Sequence, residues 1–503
     1  MTEKTDQRPN ILLLHSDQHT AAIIGAYGDS LVRTPNLDRL AQSGAVIENM
    51  YCASPICVPS RASFFTGRHP YQNLVWTNSH VFNSGVPTYA HALGAAGYRP
   101  VLVGRAHFVG PDQLHGFAER YVGDHSPNYL GGTPVDHGML QGTAGPHRVS
   151  LQRSGHGQSA YQVHDEYVAA AAVDYLDRLG VRKRAGNRVE PFALVVGFML
   201  PHQPFVARRE DYDLYRPVMT MPRTPEPYSD NLHPYFRWWR KHAGIKQVGQ
   251  EEVLRARTAY WALVTRLDAM VGEVLQALER NNLARDTLII YTSDHGDQVG
   301  EHGLWWKQTF YDYSAKVPAI LSWPEGLPKG TRCSRVTSQL DLNATILDAA
   351  GAPALPTSHG RSLLPLLRDP AGTRWEDLAF SEYCTEPGDP AHSEGERTTQ
   401  QRMVRQGDWK LNYYHSMEPQ LFNLREDPYE SYDKAGDPGC QSTRLDLTRL
   451  VLEDWDPVAV AAQIAAMSRE QEVLKAWAQN TRPADQYRWD LRPEMDYLDP
   501  EQD

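Results

Sequence analysis

Along the first two thirds of the chain, short continuous apolar runs alternate with longer stretches in which apolar residues recur every three or four positions. The runs Ile11–Leu14, Pro100–Val103, Phe192–Phe198 and Leu288–Tyr291 suit strands buried on both faces of a parallel sheet. Between them, Val168, Ala171, Ala172, Tyr175, Leu176 and Leu179 share one helical face. Tyr260, Leu263, Val264, Leu267, Val271, Val274, Leu275 and Leu278 share another. Thr34–Ala41 and Ser338–Leu347 open on hydroxyl residues that can cap a helix, and Thr88–Leu93 reads as a helix ending at Gly94 or Gly97.

This alternation predicts an α/β fold with a large, mostly parallel sheet flanked by helices. Residues 122–160, rich in Gly, Pro and His, read as loop, and 205–250 as an aromatic-rich insertion. From about residue 375 the pattern shifts to short strands at Leu378–Tyr383, Arg402–Val404, Trp409–Tyr414 and Gln420–Leu424, followed by a helix at 457–478. A smaller C-terminal α+β subdomain with an antiparallel sheet is the expectation. A chain of 503 residues exceeds one ordinary core, and the divisions fall at 1–374, 375–480 and a polar tail, 481–503. Trp489 and Tyr497 can anchor that tail to a neighbouring surface or subunit.

Ligands of such sheets bind at the carboxyl ends of strands. Four strand ends deliver polar residues there: Asp17 and Gln18, Arg105 and His107, His202, and Asp294 with His295. Two carboxylates and an amide carbonyl suit a hard divalent cation such as Ca²⁺ or Mg²⁺, His295 being the less typical member. Taken singly, Asp17 also reads as a helix cap and His295 as a turn residue. Arg61, Arg105 and Lys307, with His107 and His202, would surround a tetrahedral oxyanion and supply a general acid and base. Cys57 opens a helix that Pro59 can start, in the positive end of the helix dipole, or else is a buried core thiol. Together these residues reach metal-assisted hydrolysis of a sulfate or phosphate ester, with residue 57 as nucleophile.

A net charge of −11 argues against binding nucleic acid or an anionic membrane, so an anionic substrate must meet a locally positive pocket. No stretch is apolar enough to span a membrane, and the N-terminal residues lack the apolar core of a secretory signal. Five scattered cysteines, without paired metal spacing, read as reduced thiols of a cytoplasmic protein. Trp76, Trp238, Trp239 and Tyr383 can line an aryl, cationic or sugar pocket or serve as packing.

Cys57-Val58-Pro59-Ser60-Arg61, trailed by Thr66-Gly67-Arg68, resembles the signature of the formylglycine-dependent sulfatases, a family of the alkaline phosphatase superfamily. Thr34–Leu40, Gly104-x-x-His107, Pro201-His202-x-Pro204 and Ser293–Asp297 through Gly300–Lys307 fit the same family in the same order, over roughly residues 9–430. The resemblance implies that a maturation enzyme converts Cys57 to formylglycine. The hydrated side chain would be held by Arg61 and by Ca²⁺ (Mg²⁺ or Mn²⁺ being alternatives), on Asp17, Gln18, Asp294, His295 and residue 57. One hydroxyl would attack sulfur with Asp294 accepting the proton. His202 and Lys307 would stabilise the sulfate and protonate the leaving oxygen, and His107 would assist collapse of the second hydroxyl.

Two departures stand out: Gln18 replaces the second aspartate of many members, and Arg105 the usual lysine. The segment His107–Phe117 is similar to the choline-sulfatase branch, which implies a small soluble sulfate ester as substrate. The family also implies a homo-oligomer. A phosphonate monoester or phosphodiester hydrolase, and a non-catalytic binder of sulfated ligands with unmodified Cys57, are the competing readings.

Overall fold

The computed structural model describes residues 8–187, 190–385 and 400–500; residues 1–7, most of the N-terminal segment that lacks a secretory signal's apolar core, lie outside them. The strands begin with β1 (Asn10–Asp17), β2 (Ala45–Tyr51), β3 (Arg99–Gly104), β4 (Glu119–Tyr121) and β5 (Gly155–Gln158). Next come β6 (Phe192–Pro201), β7 (Val206–Ala207), β8 (Thr287–Ser293), β9 (Lys316–Val317), β10 (Ala319–Ser322) and β11 (Thr331–Ser338). The main sheet runs β11-β2-β10-β8-β1-β6-β3-β4, with β9 paired to β2.

Its centre, β8-β1-β6-β3, is parallel, as the apolar runs predict. Every residue of β6 and β8 is buried, which leaves no polar face for solvent. Successive side chains of β1 serve opposite layers. Leu12 and Leu14 join the core formed with the long helices Ala160–Arg184 and Gln250–Arg280. Ile11 and Leu13 join the one formed with the helices Cys57–Thr66 and Gln339–Ala350. The departures from a parallel sheet are β10, antiparallel to both β2 and β8, and the short β9, antiparallel to β2.

Several boundaries differ from the reading of the sequence. The helix beginning at Tyr89 continues through Gly94 to Ala95. Residues 122–160 are mostly loop but hold a short helix, Val149–Gln152, and β5. The 205–250 insertion contains the helix Pro234–His242. The helix bearing Cys57 starts at that residue, two before Pro59, which therefore occupies its first turn rather than its first position.

The C-terminal sheet is a four-stranded antiparallel meander, β12 (Leu378–Cys384), β13 (Gln400–Gln406), β14 (Trp409–Tyr414) and β15 (Gln420–Asn423). Val404, Leu411 and Leu421 pack with Leu447, Val451, Trp455, Val460 and Ile464 from two helices, Gln441–Leu452 and Pro457–Thr481, and the turn between them. The sequence pattern does not reveal the first of these helices and ends the second at 478. Beyond them the chain returns to the main body. The short strand β16 (Tyr497–Leu498) pairs with β5, and Trp489 packs its ring edge-on against His164. Trp489 thus packs on its own chain, whereas the Tyr497 side chain stays exposed while its backbone pairs with β5.

Candidate active site

All four strand ends converge on one buried centre. Asp17 ends β1, where the register against β6 jumps from Gly197 opposite His15 to Pro201 opposite Asp17. That irregularity places Gln18, with φ of 65°, at the sheet's mouth. Arg105 leaves β3 with its N–H on the Gly197 carbonyl, and a Cβ at Gly197 would meet the Arg105 oxygen at 1.9 Å. Only glycine lets β6 pass that closely.

The helix Cys57–Thr66 is buried along its whole length and points its first turn into the same centre. Asn78 accepts the Val58 N–H at 3.0 Å, which occupies a free amide of that turn. Ser60 Oγ donates to the Asp294 carbonyl at 2.5 Å and ties the helix to the end of β8.

Asp17, Cys57, Asp294 and His295 offer ligand atoms that all lie within 4.8 Å of one another. His295 Nε2 is 3.2 Å from Cys57 Sγ, 3.9 Å from Asp17 Oδ1 and 3.7 Å from Asp294 Oδ1. His295 Nδ1 lies 3.0 Å from the Gly296 carbonyl, which can only accept, so that nitrogen carries a proton and Nε2 is the one facing the sulfur and the carboxylates. Two carboxylates, a sulfur and an imidazole nitrogen gathered this closely fit a divalent cation. Gln18 is placed differently: its backbone N–H donates to Asp294 Oδ1 at 3.0 Å, but its side-chain oxygen meets Lys307 at 2.7 Å.

Arginines hold the outer oxygens of both carboxylates. Arg61 Nε donates to Asp294 Oδ2 at 2.9 Å and its Nη2 to Asp17 Oδ2 at 3.2 Å. Arg105 Nε also bonds Asp17 Oδ2, its Nη1 reaches Asp124, and its Nη2 meets His107 Nδ1 at 2.8 Å. Burial and the neighbouring Cys57 push the Asp17 carboxyl up, but Arg105, His202 and Arg61 outweigh them and hold it well below the usual range.

Lys307 Nζ lies 3.1 Å from Cys57 Sγ and 2.8 Å from His202 Nε2, in addition to Gln18. His202 Nδ1 donates to the Gln203 carbonyl at 2.6 Å, so its Nε2 accepts from the ammonium. Burial and Lys307 hold His202 below its ordinary value, which favours the neutral ring. Burial alone would raise the Cys57 thiol; Lys307 and His295, with a hydrogen bond from His107, pull it far down instead. Whatever group stands at position 57 sits in a field built for negative charge.

The sequence reading missed Asp124, which accepts from Arg105, Arg120 and the His107 N–H, and Gln203 and Asp297, which hold Gln18. Asp297 lies inside the Ser293–Asp297 motif and was the one of these within reach of a signal. The aromatics considered for a pocket serve mainly as packing. Trp76, Trp239 and Tyr383 are buried in the cores, Trp76 with its indole N–H on Glu382 at 2.6 Å, and Trp238 stacks on His242.

A parallel sheet whose strand ends gather carboxylates, cations and a buried thiol suits a hydrolase of tetrahedral oxyanion esters. Residues 9–352 match the family model described as Sulfatase, and residues 300–454 that described as N-sulphoglucosamine sulphohydrolase, C-terminal. The chain belongs to the sulfatase family, with an alkaline phosphatase-like fold, and is a sulfuric ester hydrolase. It is 34% identical over 513 residues to the choline-sulfatase of Rhizobium meliloti (strain 1021), covering 97% of this chain and 94% of that one. It is 28% identical to arylsulfatase K of Danio rerio, covering 92% and 87%. In fold it resembles the phosphonate monoester hydrolase of Agrobacterium radiobacter, with a TM-score of 0.71 at 22% identity, covering 91% of this chain and 96% of that one.

Proposed function

We propose that this sulfatase cleaves a small soluble sulfate monoester, with choline sulfate the first substrate to try, after a formylglycine-generating enzyme has converted Cys57. The observation that carries the reading is the buried quartet Asp17, Cys57, Asp294 and His295, ringed by Arg61, Arg105 and Lys307. It stands at the start of the signature helix in a chain of this family. Formylglycine there would supply the oxygen nucleophile for sulfur. A hard divalent cation, Ca²⁺ in the first instance and Mg²⁺ or Mn²⁺ otherwise, would be held by Asp17, Asp294, His295 and residue 57, with the Gln18 oxygen beside them engaged by Lys307, and would polarise the bound oxygens.

The chain's own residues do the rest. Arg61 and Arg105 fix the carboxylates and keep the mouth positive, so a sulfate finds compensation once it leaves water. Lys307, its ammonium seated between Gln18 Oε1 and His202 Nε2, is the proton source for the departing alcohol oxygen. His107, with Nδ1 committed to Arg105, turns its other nitrogen to residue 57. Residues 1–374 form the catalytic part in this reading, 375–480 the C-terminal subdomain and 481–503 the tail. All five cysteines are free, which supports a reducing, cytoplasmic setting. Self-association is part of the same reading, and light scattering tests it.

Choline sulfate is favoured by the 34% identity across nearly the whole of both chains. A phosphonate monoester or phosphodiester hydrolase is the second reading, favoured by the Gln18 amide and by the fold likeness to a phosphonate monoester hydrolase. Peptide mass spectrometry of residue 57 in protein from its native host tests the nucleophile; finding thiol alone there removes it. Comparing kcat/KM on choline sulfate, an aryl sulfate, a sugar sulfate and matched phosphorus esters tests the substrate. Higher values on the phosphorus esters would overturn the assignment.

A further inference from the structure

A carboxylate at position 18 would have two equivalent oxygens, whereas the amide of Gln18 has unlike ends and can be seated backwards. Its neighbours decide the matter. Gln18 Nε2 lies 2.5 Å from Asp297 Oδ2 and 2.6 Å from Gln203 Oε1, while Gln18 Oε1 lies 2.7 Å from Lys307 Nζ. Lys307 only donates, so the amide oxygen faces Lys307 and the nitrogen is left to donate to Asp297 and Gln203. Gln203 is oriented in turn, because its Nε2 donates to the Ala144 carbonyl at 3.2 Å and leaves Oε1 to accept. The donors therefore point one way through a buried chain, from Lys307 to Gln18 to Gln203 to Ala144, and such chains polarise along their length.

Asp297 has a second attachment. Its Oδ1 accepts from the Val299 N–H at 2.8 Å and the Trp306 N–H at 3.0 Å, which fixes the turn that delivers Lys307. One carboxylate thus secures both the lysine's backbone and the amide that meets its ammonium.

We infer that Asp297 and Gln203 are positioning residues: together they seat the Gln18 amide with its oxygen toward Lys307, and so let a glutamine stand where an acid is usual. The inference deepens the proposed function and rests on it for its kinetic consequences. The seating of the amide does not need that reading.

Asp297→Asn separates the two attachments. Oδ1 stays engaged with Val299 and Trp306, so the new amide nitrogen faces Gln18 Nε2, donor against donor. Gln18→Glu creates the mirror conflict, acceptor against Asp297 and against Gln203. In the double variant the asparagine donates to the glutamate, Gln203 can turn its amide to it, and Lys307 still finds an oxygen.

The expected result is that each single variant melts below the native protein and that the pair regains at least half of the summed loss. The pair should also regain about tenfold in kcat/KM over Asp297→Asn. A merely structural role for Asp297 predicts near-native behaviour of Asp297→Asn, because the turn bonds survive. That outcome, or strictly additive losses, overturns the inference. Gln203→Met, which keeps the volume and removes the acceptor, provides a variant outside the turn; native kcat/KM in it would also overturn the inference. If the native protein turned over no sulfate ester, the proposed function would fail while the melting cycle still decided this one.

Discussion

Arg105 Nη2 lies 2.8 Å from His107 Nδ1 while the same guanidinium bonds Asp17 through Nε. Because an arginine nitrogen only donates, His107 Nδ1 accepts, and the ring proton belongs on Nε2, toward residue 57. His107 therefore presents a donor to the nucleophile position. Arg105→Lys puts one ammonium where three differently directed nitrogens stood, serving Asp17, Asp124 and His107. The expected outcome is a fall in kcat/KM of about 10–100-fold, with the fold retained. Steady-state kinetics with a thermal melt checks it; native kinetics would show that the fork is dispensable.

Dialysis against a chelator should lower both turnover and the melting temperature, and Ca²⁺ should restore them. At a hundredfold excess over its Kd, a ligand bound only by the folded state adds about 2.7 kcal/mol of stability. Calcium-independent turnover and melting would remove the cation from the reading.

Cys57→Ala and Asp294→Ala should part company. The first abolishes turnover and leaves the fold, since alanine suits a helix start and Lys307 keeps Gln18 and His202 as partners. The second leaves Arg61 buried with only part of its compensation and should cost about 3–5 kcal/mol, read from urea midpoints. Turnover in Cys57→Ala would refute the nucleophile.

Acid should destabilise the protein early. Burial holds His19, His80, His115 and His302 down to about 4, against an ordinary value of 6.5. Their unfolded forms take up protons as pH falls below 6.5 while the folded forms stay neutral to about 4. Stability is therefore present above that window and lost on descending through it, at up to about 1.4 kcal/mol per pH unit for each histidine. Urea midpoints at pH 7.5 and 5.5 measure the loss, and His302→Gln should lessen it. A midpoint independent of pH would contradict the burial of these rings.

The strands that carry the site were legible because β1, β6 and β8 are buried on both faces, which leaves unbroken apolar runs in the sequence. Each such run ends within three residues of its strand's end, so Asp17, Arg105, His202 and Asp294 could be read as lying at or just beyond strand ends. The antiparallel direction of β10 was not legible, since Ala319–Ser322 reads the same either way. Nor were Asp124 and Gln203, whose importance lies in contacts to Arg105 and to a Gln18 that is 185 residues away in sequence. For the aromatics the sequence left pocket and packing open, and Trp76, Trp239 and Tyr383 fill cores.

Cys57 is only 1% exposed, on a helix buried along its whole length against the ends of β1 and β8. A modifying enzyme docking on the folded surface meets no exposed sulfur there. The proposed conversion to formylglycine therefore belongs to an interval during synthesis, opened when residue 57 emerges and closed when β8, roughly 240 residues later, arrives to pack on it. At about 5–20 residues per second that interval lasts on the order of 10–50 s. The spacing along the chain thus acts as a clock, and a variant that folded its N-terminal half sooner would mature less completely.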